Sequence, residues 1–250
     1  MDEPLRCSTI FSPGCERMLH APAWYHGDEW IVDCGRRTGP HLREELPEHL
    51  LRSLAASPAS DVRVAVLAHP NVPSDLVDHM LDDPNWDVRR TAVRRTSDVA
   101  ALRSAARDEW HVRVAVASNP SSPTDLLEEL ARDRDQTVAV NAVLNPSAPP
   151  KLVNRAALSR RDHVRWWALH QTSSRKLMRA AATSADTDNR SWLAGNPNLP
   201  LDVLTTLAED PSRAVRRKVA AHPACPPELK QRLEATLAPG RATFTADEKE

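Results

Sequence analysis

The chain has 250 residues and a formal net charge of −1, with 27% charged and 41% hydrophobic side chains. This is the balance of a soluble globular protein, and it excludes both an overall basic field that would hold nucleic acid and the character of an acidic tail. The 21 prolines, set against 6 glycines, indicate many short helices that stop at regular points.

The chain also has no sign of export or of membrane insertion. No apolar run approaches the length of a membrane span, and the first 20 residues have no signal-peptide core. Four cysteines in such a chain favour free thiols or a bound metal over a disulfide framework. We therefore expect a cytoplasmic protein that does not associate with a membrane.

Residues 1–45 do not follow the pattern of the rest of the chain and contain three of its cysteines, Cys7, Cys15 and Cys34. Three thiolates and one histidine would complete a tetrahedral zinc site, and three thiolates with another ligand could hold a [4Fe–4S] cluster. The spacing of these cysteines is loose for either metal. The favoured alternative is a small cap in which the cysteines are buried apolar side chains.

Residues 46–238 repeat one phrase about every 26 residues. Five copies are explicit: AVLAHPNVPSDL (65–76), AVASNPSSPTDL (115–126), NAVLNPSAPPKL (141–152), LAGNPNLPLDV (193–203) and VAAHPACPPEL (219–229). With Thr96 and Thr172 placed in the two slots that lack the first proline, successive gaps are 26, 24, 26, 26, 25 and 26 residues. Seven repeats at a near-constant period predict a solenoid.

Each repeat contains two short helices, which we name A and B. Positions 0, +4 and +5 of helix A share one face and are apolar in every repeat, except at Asn189. Helix A ends before the proline, because the residue that precedes a proline is driven out of the helical conformation. Helix B opens with a proline and often an acid, as in Pro73-Ser74-Asp75, and its apolar stripe has helical spacing. Position 0 is Val62, Val88, Val112, Val138, Val164, Asn189 and Val215.

Neither helix is long enough to be stable alone in water, so the repeats must stack to bury their apolar faces. Leu51 and Leu54 belong to an apolar stripe that predicts one additional B helix before repeat 1. Trp86 and Trp110, two residues before position 0 of their repeats, are predicted to lie in turns as packing wedges.

Position +1 of helix A is an arginine in six of the seven repeats: Arg63, Arg89, Arg113, Arg165, Arg190 and Arg216. A column of arginines on a solenoid could follow a phosphate backbone. Alternatively, it is an internal ladder, in which each arginine pairs with an Asp of a neighbouring repeat or with the carboxyl end of a helix. The near-zero net charge favours the ladder, as do the acids shortly before four of the arginines: Asp61, Asp87, Asp162 and Asp188.

Positions +3 and +7 of helix A lie one turn apart on a common ridge. From repeat 4 onwards this ridge gains large polar and aromatic side chains, which a shared core would not need and which are typical of binding hot spots. In the alternative interpretation, the tryptophans fill gaps between repeats and the residues at +7 cap helix A. The sequence predicts a slot for an extended segment between Trp167 and Trp192. The predicted binding ridge consists of Asn141, Asn145, Trp167, Gln171, Trp192, Asn196, Lys218 and His222.

The repeated Val-Arg-x-x-x-x-x-(Asn/His)-Pro phrase resembles the repeats of the leucine-rich repeat variant family over residues 46–237, with a looser similarity to HEAT-like repeats. The resemblance implies a right-handed superhelix of paired helices, one of which can be 3₁₀. Better-known members of the family carry an amino-terminal iron–sulfur module with four closely set cysteines. This chain has three cysteines there and no Cys-x-x-Cys pair.

We therefore predict an all-α fold, a right-handed α-solenoid of about seven two-helix repeats of 24–26 residues. The predicted domains are an amino-terminal cap (1–45), the solenoid (46–238) and a disordered tail (239–250). The chain has no glycine-rich phosphate loop, His-Glu-x-x-His or nucleophile motif, so the expected function is a non-catalytic scaffold that binds a protein or peptide. Two alternatives stay open: a nucleic-acid-binding repeat protein similar to the helical-repeat DNA glycosylases, and a zinc or iron–sulfur protein.

Overall fold

The computed structural model describes residues 46–237, together with the backbone of four short strands before them. Strands β1 (Tyr25–His26) and β2 (Glu29–Trp30) pair antiparallel. Strands β3 (Val32–Asp33) and β4 (His41–Leu42) form a second antiparallel pair. The predicted amino-terminal cap and carboxyl-terminal tail otherwise lie outside the described residues, so the domain boundaries stay a prediction.

Residues 46–237 form fifteen α-helices that follow the predicted A and B order. The A helices of repeats 1 to 7 are α2 (Ser60–Ala68), α4 (Trp86–Arg95), α6 (Trp110–Ser118), α8 (Gln136–Leu144), α10 (Asp162–Gln171), α12 (Thr187–Leu193) and α14 (Arg213–Ala220). The B helices are α3 (Ser74–His79, followed by a 3₁₀ turn over Met80–Asp82), α5 (Val99–Ala105), α7 (Thr124–Leu130), α9 (Pro150–Ala156), α11 (Arg175–Ala182), α13 (Leu201–Ala208) and α15 (Pro227–Leu237). The additional B helix before repeat 1 is α1 (Glu48–Ala55). This order confirms the all-α solenoid.

Helix A begins two residues earlier than predicted, because its amino-terminal cap lies before the first core residue. The side chain of Asn85 accepts a hydrogen bond from the backbone N–H of Asp87 at 2.9 Å, and Asp135 caps α8 in the same way. Trp86 and Trp110, predicted to lie in turns, are therefore the first residues of α4 and α6. Helix A ends where predicted, with extended backbone at His69 (φ −66°, ψ 134°).

The core columns of helix A are confirmed. Val62, Val66 and Leu67 of repeat 1 are fully buried, and the same three positions are buried in the other repeats. The exception is Asn189, which is half-buried. Because complete burial of a Val or Leu side chain stabilises a protein by about 1.5–3 kcal/mol, the stacked columns are a main source of stability.

Thr96 and Thr172 do not occupy proline slots, contrary to the prediction. Their helices, α4 and α10, have 10 residues, whereas α2, α6 and α8 have 9. Each hydroxyl accepts the backbone N–H two positions further on, from Asp98 and Ser174 at 3.1 Å, as the Asn119 side chain does in its repeat. The two threonines therefore replace the capping Asn, and each helix contains one residue more.

The arginines at position +1 form the internal ladder, not an outward-facing column. In four repeats, Nε and Nη2 bind both carboxylate oxygens of an Asp in the turn that leads to the next repeat, at 2.6–3.2 Å. The inner Nη1 donates to a backbone carbonyl of the turn before the helix, for Arg63 that of Ser57 at 2.7 Å. The four pairs are Arg63–Asp83, Arg89–Asp108, Arg113–Asp133 and Arg190–Asp210.

The acid shortly before the arginine is a partner only in repeat 5, where Arg165 contacts Asp162 at 2.7 Å and Asn189 at 2.8 Å. In the other pairs, the carboxylate is fixed by its arginine. The hydrogen bond from Arg89, opposed by burial, holds the pKa of Asp108 below its ordinary value. Guanidinium and carboxylate thus stay charged at neutral pH, and the ladder ties successive repeats together.

The chain divides into two compact units, with the boundary between Ser147 and Ala148. The core of the first unit includes Leu51, Leu54, Val62, Val66, Leu67, Met80 and Val88. The core of the second unit includes Met178, Leu193, Leu204, Leu207, Val215, Val219 and Leu233. None of the helices between residues 46 and 237 is both long enough and apolar enough to cross a membrane.

Candidate binding surface

In each unit, a buried polar residue lies at the carboxyl end of every A helix. These residues are at most 7% exposed: His69, Thr96, Asn119 and Asn145 in the first unit, and Thr172, Asn196 and His222 in the second. We call these residues the clasp column, because four of them, Asn119, Asn145, Asn196 and His222, donate to backbone carbonyls of the preceding repeat. The carbonyls of the last helical turn have no partner within their own helix, and the clasp column supplies donors to them.

Asn196 shows the geometry of the clasp most completely. Its Nδ2 donates to the carbonyls of Leu169 and Thr172 in the preceding repeat, both at 2.8 Å, and its Oδ1 accepts the N–H of Asn198 at 2.9 Å. Asn145 makes the equivalent bonds to the carbonyls of Ala117 and Asn119, at 2.7 and 2.8 Å.

His222 is the member of the clasp column in the last repeat and makes the equivalent hydrogen bonds with its imidazole. Its Nδ1 accepts the N–H of Ala224 at 3.1 Å, so the proton is on Nε2, which donates to the carbonyl of Asn196 at 2.8 Å. The binding-ridge prediction is therefore wrong for Asn145, Asn196 and His222. All three are buried, because the chain turns inward at the end of helix A. Their polar atoms form hydrogen bonds with backbone groups of the preceding repeat.

The remaining ridge residues of the second unit lie in or beside a group of three tryptophans. Trp166 and Trp167 on α10 and Trp192 on α12 are each half-buried, and we call them the tryptophan cluster. The ring centroids of Trp167 and Trp192 are 5.0 Å apart, and those of Trp166 and Trp192 are 6.1 Å apart with nearly parallel planes. These are contact distances for aromatic rings, so the predicted slot between Trp167 and Trp192 does not exist.

Cationic and polar groups surround the tryptophan cluster. The exposed Lys218 on α14 places Nζ 5.7 Å from the ring centroid of Trp192 and donates to the carbonyl of Ser191 at 2.9 Å. The imidazole of His163 meets Trp166 edge to face, with 5.0 Å between the centroids. Gln171 is exposed at the end of α10. The cluster is therefore an amphipathic surface, aromatic at its centre and polar at its edge.

Two polar atoms in this region are buried and have no hydrogen-bond partner among the described residues: Trp166 Nε1 and His170 Nδ1. Burial lowers the pKa of His170, and the positive charge of Lys218 lowers it further, so the imidazole is neutral at pH 7. A Cβ at Gly195 would lie 3.2 Å from His170 Cδ2, so the backbone at Gly195 closely approaches this ring. Unpaired buried polar atoms are costly, and a bound group that reached them would remove that cost.

Asn141, the remaining predicted ridge residue, lies in the first unit and is already hydrogen-bonded. Its Nδ2 donates to the carbonyl of Thr137 at 2.8 Å, and its Oδ1 accepts from the hydroxyl of Ser118 at 3.0 Å. Both ends of the amide thus stabilise helices α6 and α8. The structure gives Asn141 a structural role within the first unit.

A second aromatic group lies in the first unit, where the sequence suggested only packing wedges. His111 stacks between Trp86 and Trp110, with centroids 4.1 and 3.6 Å away, and the guanidinium of Arg90 lies 5.4 Å from the Trp86 ring. Trp110 is 43% exposed and borders an open groove of about 800 Å³ that Arg107 also lines. Trp110 is therefore a surface residue, contrary to the wedge interpretation.

The described residues give no information on the predicted metal site. Within residues 46–237, no group of three or more His, Cys, Asp and Glu side chains has the geometry of a metal site. Cys7, Cys15 and Cys34 lie outside the described residues, so the zinc or [4Fe–4S] site stays a prediction. Cys225 is a free thiol, and burial raises its pKa.

Comparisons with known proteins agree with this architecture. A family model described as leucine rich repeat variant matches residues 110–135, which contain α6 and α7 of repeat 3. A solved structure of a leucine-rich repeat variant with a novel repetitive structural motif superposes with a TM-score of 0.54 at 23% identity, over 74% of this chain and 80% of that chain. No curated protein sequence matches the chain. The resemblance to the leucine-rich repeat variant family is therefore confirmed, directly for repeat 3 and at the level of the fold for the stacked repeats around it.

Proposed function

We propose that the protein is a non-catalytic scaffold that binds a protein or peptide partner at the tryptophan cluster of its second unit. The observation that carries the proposal is that Trp166, Trp167 and Trp192 are partly exposed and lie outside the core columns shared by all repeats. Large amphipathic side chains in such positions are characteristic of binding hot spots. We propose a cytoplasmic location, where the Cys225 thiol would stay reduced.

The chemistry around the cluster supports binding more than catalysis. In the described part of the chain, the Nδ1 of His170 has no hydrogen-bond partner, and His163 packs edge to face against Trp166, so neither contact activates a nucleophile. Four arginines of the ladder form ion pairs with aspartates. These arginines are therefore not available for the phosphate contacts of a nucleic-acid-binding protein. The surface best fits a partner that packs against the indoles and places an acceptor or a negative charge beside the ammonium group of Lys218.

We expect Trp192→Ala to remove partner binding and to leave the fold in place. Truncation removes the central ring of the cluster, which contacts both other indoles and Lys218, and loss of a hot-spot residue costs about 2 kcal/mol or more of binding energy. The measurement is affinity capture from native lysate, with the captured protein identified by mass spectrometry and its Kd then determined with purified components.

The matched control is Leu201→Ala, which truncates a 59% exposed apolar side chain on the B helix α13 of the same unit. It is expected to leave the Kd unchanged. Equal loss of binding in the two variants would contradict a site at the tryptophan cluster.

A further inference from the structure

The arginine ladder contains one member whose carboxylate position is empty within the described residues. In repeats 1, 2, 3 and 6, the guanidinium is held by backbone carbonyls through Nη1, and its Nε and Nη2 edge binds an Asp in the turn after helix B of the same repeat. Arg216 of repeat 7 is held in the same way, because its Nη1 donates to the carbonyls of Asp210 and Pro211 at 2.6 and 3.0 Å. No carboxylate within residues 46–237 pairs with Arg216.

The missing acid is a consequence of the sequence at the end of the array. Asp83, Asp133 and Asp210 each follow the first proline of their phrase by 13 residues, and the same count from Pro223 gives Thr236. Thr236 lies within α15, and its hydroxyl donates to the carbonyl of Leu233 at 2.8 Å. The half-buried Arg216 thus keeps the orientation of a ladder arginine without its partner.

We propose that Arg216 is a preorganised carboxylate site and that the partner of the tryptophan cluster carries an acidic segment that docks along α14. This inference rests on the proposed function, whose site it extends. Two parallel hydrogen bonds from a guanidinium to a carboxylate are strong and directional, and the backbone already holds Arg216 in place, so little side-chain entropy is lost on binding.

The charges of α14 match an acidic partner. The helix sequence RAVRRKVA contains no acid, and Arg213, Arg217 and Lys218 are exposed. None of these three cations forms an ion pair within the described residues. Lys218 lies over the ring of Trp192, whereas Arg216, two positions earlier, is on a different face of α14. An acidic segment that reached both cations would therefore cross α14 to meet the tryptophan cluster. An apolar side chain between the acids would then contact the indoles.

A second copy of this chain fits the Arg216 site less well. In an end-to-end stack, repeat 1 of the next copy would follow repeat 7. The residue that corresponds to the ladder Asp in repeat 1 is Ser57, five positions before Val62, and its carbonyl is already bound by Arg63. A stacked copy would therefore bring no carboxylate to Arg216. We therefore assign the acid to a partner protein.

The test uses two fluorescein-labelled hexapeptides, the acidic Asp-Glu-Phe-Asp-Glu-Leu and its neutral counterpart Asn-Gln-Phe-Asn-Gln-Leu, titrated with the full chain and followed by fluorescence anisotropy. We expect the acidic peptide to bind at least about tenfold more tightly than the neutral one. Arg216→Gln should weaken binding of the acidic peptide about tenfold. Arg216→Lys should weaken it nearly as much, because lysine keeps the positive charge but cannot donate the two parallel hydrogen bonds of a guanidinium.

Thermal melts show that the variants are folded, and Arg179→Gln, which changes an exposed arginine of α11, is the control that should bind normally. Wild-type affinity in both Arg216 variants, or no detectable binding of the acidic peptide, would overturn the inference. Equal binding of the two peptides that is lost in Trp192→Ala would overturn the acidic segment and leave the proposed function intact. Loss of binding in Arg216→Gln with no effect of Trp192→Ala would support the carboxylate site and count against the tryptophan cluster.

A second variant tests whether the chain's own tail occupies the site. If the full-length Asp247→Asn/Glu248→Gln variant binds the acidic peptide about tenfold more tightly, the tail fills the site, and the assignment to a partner fails.

Discussion

Val116→Asp is expected to destabilise the first unit by about 4 kcal/mol or more, because it places a carboxylate at a core position shared by all repeats. Val116 lies at position +4 of α6 and is fully buried, with Val112 and Ala117 on the same face. For a chain of this size, such a loss corresponds to a fall in melting temperature of roughly 10 °C. Urea unfolding followed by circular dichroism measures the loss.

The matched control is Val99→Asp, the same substitution at a Val that is 42% exposed. Val99 is the first residue of α5, where a carboxylate interacts favourably with the helix dipole, so the change should stay within about 0.5 kcal/mol of wild type. If the two variants unfold at the same urea concentration, the assignment of the core columns is wrong.

Arg190→Ala is expected to cost about 3–5 kcal/mol, because it leaves the carboxylate of Asp210 without its counter-ion. In this pair, Nε and Nη2 lie 2.7 and 3.2 Å from the two carboxylate oxygens, and the Asp210 side chain is 2% exposed. The hydrogen bond to Asp210, opposed by burial, raises the pKa of Arg190, so the arginine is charged at every accessible pH. The free energy of unfolding from urea titrations is the measurement.

Arg179→Ala is the control in the same unit, since Arg179 pairs with Asp202 at an equally short 2.7 Å but both side chains are at least half exposed. An exposed pair contributes about 0–1 kcal/mol. Combining Arg190→Ala with Asp210→Ala should recover part of the loss, because the buried charge is then gone. Similar losses in Arg190→Ala and Arg179→Ala would show that the ladder does not stabilise the stack.

The periodicity of the sequence was sufficient to predict the helices and the core, because both depend on side-chain type at fixed spacing. Val62, Val66 and Leu67 are apolar in a helical pattern, and every repeat must bury the same face. The start of helix A was placed two residues late, because core residues do not mark the cap. The signal that could have placed it is the Asn or Asp three residues before position 0, as at Asn85 and Asp135.

The candidate site was predicted less well, because it depends on where helix ends turn and on how large side chains meet. Counting from the prolines placed Thr172 in a proline slot, since proline spacing cannot show one extra residue inside a helix. Asn196 appeared exposed by helical spacing, although the chain folds it inward to hold the preceding repeat. The predicted ridge of positions +3 and +7 does not include Trp166, which lies at position +2 beside Trp167 and joins the cluster.

The acidic partners of the ladder were also detectable in the sequence. Asp83, Asp133 and Asp210 recur at one position of the phrase, after helix B, whereas the acids just before the arginines, which the sequence suggested as partners, are further from them in the fold except in repeat 5. Sequence proximity is a poor guide, because the partner of each arginine lies about 20 residues further along the chain, in the turn that leads to the next repeat.

The central claim is that the clasp column holds the repeats together and that the tryptophan cluster is free for binding. Trp192→Ala and Asn196→Ala, four residues apart in the same repeat, test this claim when melting temperature and capture of the partner are measured on both. Asn196→Ala removes the donor from two buried backbone carbonyls, so it should melt several degrees early, while the folded fraction captures the partner normally. Trp192→Ala should melt close to wild type and capture nothing. The reverse pattern, in which Trp192→Ala unfolds early and its folded fraction still binds, would contradict the account.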